Sequence, residues 1–314
     1  MRTEKINKND GNQRLDKYMS KRFRTMPQSL LYKYIRNKCV KVNGVRAKEN
    51  TVVMPGDEIT YYISDEFFVS RKADFTSLSP NVTVVYEDEN ILIADKPAGV
   101  SVQPDEKQEN NTLIDNIKAY LYKKGEFDPA KENSFSPALC NRIDRNTSGL
   151  VISAKNAEAL RIMNEIIKDR DVEKTYLAAV HGRLDKKEDT VTLFLEKNAS
   201  ENMVKVYKKA TADTKTAITG YKVISETKDL SLLEVHLITG RTHQIRATFA
   251  SLGHPLLGDG KYAVNKEDRK NGYSCQQLCS YSLKFVFKSD RGILNYLNGW
   301  SFKAKTPAFV NLFE

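Results

Sequence analysis

An abrupt step in charge restricts the organisation of this chain more than any other feature. Met1 to Lys48 hold 14 Lys or Arg against three acidic residues, a surplus of +11, whereas all 314 residues together carry +10. The beginning is strongly basic and the remainder about neutral, which predicts two units, a small anion-binding module ahead of a larger domain. A hydrophobic content of 40% is enough for an ordinary core in each. No apolar run approaches a membrane span, and Met1-Arg2-Thr3-Glu4-Lys5 lacks the apolar segment of a signal peptide, so a soluble cytoplasmic protein is expected. Cys39, Cys140, Cys275 and Cys279 are too irregularly spaced for a disulfide framework and are expected to be reduced thiols.

Residues 1–12 are polar and without period and predict a loose arm. From Arg14 a helical period sets Leu15, Tyr18, Met19 and Phe23 on one side and Arg14, Lys17, Lys21 and Arg24 on another. Pro27 suits a first helical turn, and Leu30, Leu31, Tyr34 and Ile35 mark a second helix carrying Lys33 and Arg36. Cys39-Val40-Lys41-Val42, the turn Asn43-Gly44 and Val45-Arg46-Ala47-Lys48 read as a hairpin, and Ile59 to Ile63 as a further strand. Charge runs are usually plain solvated faces, but a surplus concentrated on two short helices and a hairpin favours phosphate contact. Residues 65–80 mix charge, Ser and Phe and read as a linker whose aromatic residues have apolar surface to dock.

The larger domain opens with strands at Val82 to Tyr86 and Ile91 to Ala94, then a helix carrying Leu113, Ile114, Ile117 and Leu121. At its centre lies Asn141-Arg142-Ile143-Asp144-Arg145-Asn146-Thr147-Ser148-Gly149, running into the apolar Leu150-Val151-Ile152. One carboxylate stands between two guanidinium groups, and a Gly sits where the chain enters a buried strand. Neighbouring cations favour the charged form of a carboxylate, so Asp144 is suited to stay an anion or act as a nucleophile, although an isolated Arg-x-Asp-Arg reads first as a surface ion pair at a strand entrance. Asn156 is placed to cap a helix with Leu160, Met163, Ile166 and Ile167 on its apolar face. Strands are expected at 173–182, 203–207, 217–224 and 230–238, and Ile245, Phe249 and Leu252 mark a helix that Thr242 is placed to cap.

The central string resembles the catalytic motif of the RluA-type pseudouridine synthases, usually His-Arg-Leu-Asp-Arg-x-Thr-Ser-Gly, with Asn141 in place of His and Ile143 in place of Leu. In the same order, Asp95-Lys96-Pro97-Ala98-Gly99-Val100 resembles that family's first motif, Tyr176 the tyrosine of its second, and Leu237 to Arg246 its third. Residues 12–64, with Arg14-Leu15-Asp16 and Val42-Asn43-Gly44, look like an S4 RNA-binding domain. The resemblance implies an α+β protein, a small N-terminal S4 (α-L) domain followed by a synthase domain with a mixed, mainly antiparallel central sheet. The expected divisions are an arm at 1–12, the S4-like domain at 13–64, a linker at 65–80 and the catalytic domain at 81–314.

The implied activity is isomerisation of uridine to pseudouridine in RNA. The base leaves C1′, rotates and rejoins through C5, without cofactor. The resemblance gives Asp144 the initiating role, by covalent attack on sugar or base or by taking a ribose proton, and makes Arg241 its ion-pair partner. It gives Tyr176 the stacking contact to uracil and removal of the C5 proton. Arg142 is expected to fill the stack vacated by an extruded base and Arg145 to contact phosphate or hold structure. Arg14, Lys17, Lys21, Lys33 and Arg36 are the expected RNA contacts of the S4-like part. His181, His236, His243 and His254 lack metal-ligand spacing, and no phosphate-binding glycine loop is present, so neither metal nor nucleotide cofactor is expected. The expected partner is RNA, large-subunit ribosomal RNA in RluC/RluD-like manner or else tRNA, the protein acting as a monomer away from membranes. Two readings compete, a non-catalytic S4 ribosome-assembly factor and a carboxylate glycoside hydrolase, which wants a second acid that the motifs do not supply.

Overall fold

The computed structural model of the protein describes residues 1–68, 74–104, 111–198 and 203–314. The N-terminal unit comprises β1 (Arg2–Lys5), β2 (Gln13–Arg14), α1 (Leu15–Arg22), α2 (Gln28–Arg36), β3 (Val40–Val42), β4 (Val45–Arg46), β5 (Val52–Val53) and β6 (Glu58–Tyr61). The apolar period read in the sequence is its core: Leu15, Tyr18, Met19 and Phe23 are buried with Leu31, Ile35, Val40, Ile59 and Tyr61. One sheet runs β1-β6-β3-β4, and β2 pairs with β5. Asn43 and Gly44 join β3 to β4 with φ of 50° and 76°, the left-handed pair that a two-residue hairpin demands.

The first twelve residues depart from the loose arm expected of them. Arg2 to Lys5 pair antiparallel along β6, and Ile6 is buried. The residues after Ile6 reach the larger domain. There Asp10, fully buried, accepts hydrogen bonds at Oδ1 from the backbone N–H of Ser134 at 2.7 Å and its hydroxyl at 2.6 Å. The side-chain amides of Asn7 and Asn9 donate to Glu132. These partners are distant in sequence, so local period could not show them. The stretch read as a linker holds single 3-10 turns at Asp65–Phe68 and Asp74–Ser77. Phe68 packs edge-on against Phe23 and Tyr61, and Phe75 stacks on Phe127 of the larger domain.

The larger unit adds β7 (Thr83–Glu87), β8 (Ile91–Lys96), α3 (Leu113–Lys123), β9 (Ala138–Leu139), β10 (Ser148–Ala154), α4 (Ala157–Lys168), β11 (Val172–His181), β12 (Glu188–Asn198), β13 (Met203–Tyr207), β14 (Lys215–Glu226), β15 (Leu230–Leu237), α5 (Gln244–Ser251), α6 (Lys266–Lys270), β16 (Leu278–Phe285) and β17 (Ser301–Lys303). Its sheet runs β13-β12-β14-β15-β11-β16-β10-β8-β7, and off this path β9 pairs with β10 and β17 with β16. Only β10 and β16 are parallel among these pairs, so the sheet is mixed and mainly antiparallel, in an α+β arrangement.

Helices cover both faces. On one, Met163 and Ile166 of α4 pack with Ile93, Leu150, Ile152 and Leu283; on the other, Leu113 and Ile117 of α3 and Phe249 of α5 pack with Val151, Ala178 and Val235. Strand β10 therefore sends alternate residues into two cores, which explains its unbroken apolar run. Asn156 caps α4 as expected, its Oδ1 accepting from the N–H of Ala159. Among the described residues no helix is long and apolar enough to cross a membrane.

Candidate active site

Asp144 lies on the loop that feeds β10, and the packing of β10 decides where that loop can go. Gly149 has φ +106°, and a Cβ there would stand 2.2 Å from the carbonyl oxygen of Ser280, so only glycine lets β10 come alongside β16 at this point. Asn141, where the family usually has His, is buried. Its Oδ1 accepts from the N–H of Ile152 at 2.7 Å and its amide donates to the carbonyl of Leu150, fastening the start of the loop to the strand at its end.

Lys96 fastens the other side. It is fully buried at the end of β8, and its ammonium donates at 2.8 Å to each of the carbonyls of Pro97, Val100 and Arg145. Burial pushes its pKa down to about 8, against the pull of Asp144. The Gly99 N–H donates to the Arg145 carbonyl, and Arg145 Nε returns a bond to the Gly99 carbonyl, both at 3.0 Å. Thus the two loops form one hydrogen-bonded layer. In the sequence Lys96 stands out only as part of a motif, because its partners are backbone atoms, one of them on a loop 49 positions away.

The cation that holds Asp144 is Arg246, not the expected Arg241. Arg246 Nη1 donates to Asp144 Oδ2 at 3.0 Å, while its Nε and Nη2 bind Asp259 at 2.7 and 2.8 Å. Arg241 instead is exposed and donates through Nε to the carbonyl of Thr216 at 3.0 Å. Helix geometry gives the reason. Helix α5 begins at Gln244 and is buried from there to Phe249, Arg246 included, whereas Arg241 precedes the helix and stays at the surface. The helix start is held by Gln244, which accepts from the Arg241 N–H and the Thr239 hydroxyl and donates to the Ile218 carbonyl and the Thr219 hydroxyl. The cap position falls to His243, in the left-handed region at φ 52°, and not to Thr242.

The electrostatics around this pair are strongly shaped by burial. Desolvation opposes the charge on Asp259, yet the Arg246 guanidinium overrides it and holds that carboxyl below the usual range. Desolvation also opposes Arg246, and the two carboxylates override it in turn, raising its pKa further. His243, considered from sequence only as a metal ligand, belongs to the same cluster. Its Nε2 lies 3.8 Å from Asp144 Oδ2 and its Nδ1 is 2.9 Å from the Tyr262 hydroxyl. Burial lowers its pKa against the pull of Asp144, and Arg246 adds to the lowering, which favours the neutral ring.

Asp144, Tyr176, Arg142, Arg145, Arg241 and His243 all line one cavity of about 990 Å³. Asp144 keeps 29% of its side chain exposed there, and among the described residues no hydrogen bond is made to its Oδ1. Tyr176 forms part of the buried wall, paired across the sheet with Ser280; burial pushes its phenol up to about 12. The cavity therefore combines a half-held carboxylate, an aromatic wall and a basic rim that also includes Lys174, Lys197 and Lys261. Asp259 is a second acid close to the first, but Arg246 grips both its oxygens and its side chain is fully buried, so it offers no partner for glycosidase chemistry. Of the N-terminal cations, Arg14 pairs with Asp16 and Lys21 donates to Gln13. Lys17, Lys33 and Arg36 are exposed and form no ion pair among the described residues.

Residues 90–251 match the RNA pseudouridylate synthase family. The chain is 34% identical to the Mycoplasma genitalium protein called uncharacterized RNA pseudouridine synthase MG370, over 98% of this chain and 98% of that one. It is 35% identical to the Rickettsia bellii ribosomal large subunit pseudouridine synthase C, over 81% of this chain and 83% of the other. The structure of human RNA pseudouridylate synthase domain containing 4 superimposes with a TM-score of 0.57 at 20% identity, over 72% of this chain and 89% of that one, a likeness of fold.

Proposed function

The chain belongs to the RNA pseudouridylate synthase family and is an RNA pseudouridine synthase, an isomerase, and from that premise we propose that Asp144 begins the reaction. The observation that carries this reading is the asymmetric setting of its carboxylate: Oδ2 is held by Arg246, while the exposed part of the group lines the large cavity. An oxygen tied by a charged hydrogen bond is oriented, and its fellow keeps lone pairs for chemistry. Whether that electron pair attacks sugar or base or takes a ribose proton, it originates on Asp144. Tyr176 supplies an apolar face against which the extruded uracil rests. Arg142, exposed at the cavity, is suited to fill the gap left in the RNA stack, and Arg145, tied to Gly99, shapes the loop and the rim.

The N-terminal unit is read as an S4-like RNA-binding domain. Two helices followed by a hairpin carry Lys17, Lys21, Lys33 and Arg36, and exposed cations without acidic partners are what phosphate contact needs. The substrate is read as large-subunit ribosomal RNA, supported by the name of the Rickettsia relative. The test is to map pseudouridine in RNA from a strain lacking the gene and complemented with wild type or Asp144→Asn. The wild type restores specific pseudouridines in large-subunit ribosomal RNA and the variant, present at equal level, restores none. Restoration by the variant overturns the assignment of Asp144, and restoration in tRNA alone overturns the ribosomal target.

A further inference from the structure

Arg241 is left with no catalytic partner once Arg246 has taken Asp144, and its position shows a different use. A second cavity of about 470 Å³ adjoins the catalytic one, and Lys197, Gly240, Arg241 and Thr242 line both. That size lies within the range of small-ligand sites. The far side of this cavity is made by Leu195 and Glu196 of β12, Val204 of β13, Asp213, and Lys215 of β14. Arg241 stands on the dividing ridge. Its Nε is fixed to the Thr216 carbonyl, which aims the guanidinium, and it forms no ion pair with an acidic side chain among the described residues. Lys197 and Lys215 are likewise exposed and without such pairs among the described residues.

We propose that this second cavity seats the nucleotide next to the target uridine in the RNA strand, with Arg241 and Lys197 on the phosphodiester that joins the two. The inference rests on the catalytic reading of the first cavity. Two adjoining cavities separated by a cationic ridge fit two successive nucleotides, because the linking phosphate must lie between them. A guanidinium held by one N–H retains the paired N–H groups that grip phosphate oxygens. Leu195 and Val204, both buried, form the floor of this cavity, and the carboxylates of Glu196 and Asp213, which line it but not the catalytic cavity, are acceptors for the amino groups of a base, while the anion sits on the ridge. Arg241 then acts on binding and register of the strand and leaves the bond-breaking step to Asp144.

The test uses the full-length protein and a synthetic RNA hairpin carrying a mapped target uridine, made with natural linkages or with a neutral methylphosphonate on the 5′ or the 3′ side of that uridine. Arg241→Ala raises KM about tenfold or more with kcat close to wild type. It also flattens the dependence of log affinity on log salt by about 0.7, the share of one neutralised phosphate in a single strand. One of the two methylphosphonates produces the same KM rise in the wild type, and combining it with Arg241→Ala adds nothing further. Additive losses, or an unchanged KM and salt slope in Arg241→Ala, overturn the subsite while the wild-type enzyme still makes pseudouridine. A fall in kcat with KM unchanged overturns it in favour of a catalytic role. Absence of product with the wild type on the natural hairpin overturns the functional reading itself, and the subsite with it.

Discussion

Asp144 depends on Arg246 for its placement, and Arg246 depends on Asp259. One planar guanidinium spans both carboxylates, a geometry that an ammonium on a flexible stem does not reproduce. Arg246→Lys is therefore expected to lower kcat by about 100-fold or more, because a misplaced reactive group is costly even when its charge environment survives. Single-turnover assays on a saturating RNA substrate measure this. Tyr176 gives a pH test. With its phenol at about 12, the phenolate is scarce at neutral pH and grows as pH rises. If that oxygen removes the C5 proton, the wild-type rate climbs between about pH 7 and 9, and the climb disappears in Tyr176→Phe. A profile of equal slope in both proteins restricts Tyr176 to seating the base. The motif around Asp144 could be picked out in the sequence because it is contiguous. Arg246 stands in the same motif as Arg241, and telling the two apart required knowing that α5 starts at Gln244 and is buried from there to Phe249.

At the level of elements, the site is held by backbone contacts between strands and loops. Gly149→Ala forces a methyl into the Ser280 carbonyl and demands a left-handed backbone of alanine. The expected loss is about 1–3 kcal/mol from the backbone alone, with more if β10 and β16 must part, read as a lower urea midpoint. Lys96→Met removes three hydrogen bonds from a buried ammonium and is expected to loosen the Asp144 loop. Its pH signature has a definite sign. The folded-state pKa of about 8 lies below the value near 10.4 of an unfolded lysine, so the unfolded chain binds more protons between the two. Wild-type stability relative to Lys96→Met therefore rises as pH increases through that window, which urea unfolding at several pH values detects. Helix α4 and strands β11, β13, β14 and β15 were legible because their apolar periods persist, whereas β12 (Glu188–Asn198) and β16 (Leu278–Phe285) were not among the expected strands. β1 was missed because four polar residues have no period to read and their partner lies in β6, more than fifty positions on.

For the whole molecule, the basic N-terminal unit and the catalytic unit are joined by contacts centred on Asp10. Deleting residues 1–64 is expected to weaken RNA binding and flatten its salt dependence by about 0.7 for each single-strand phosphate that the unit had neutralised. Fluorescence titration across a salt series checks this. Asp10→Ala leaves the cations in place and removes the acceptors that meet the Ser134 N–H and hydroxyl and the Asn133 N–H. Small-angle scattering is expected to show a larger radius of gyration for that variant, with the salt slope retained. The step in charge marks off the basic beginning of the chain, but the clasp at Asp10 was not legible, since isolated Asn and Asp residues in a polar stretch give no sign of what they will meet. The chain Asp144–Arg246–Asp259 has a consequence for selectivity. Its members are all supplied by the folded protein, so the Asp144 carboxylate is set before any RNA arrives and no substrate contact is needed to place it. Choice among uridines then falls on the nucleic acid, on which base its own folding allows to swing free and reach a tool already in place.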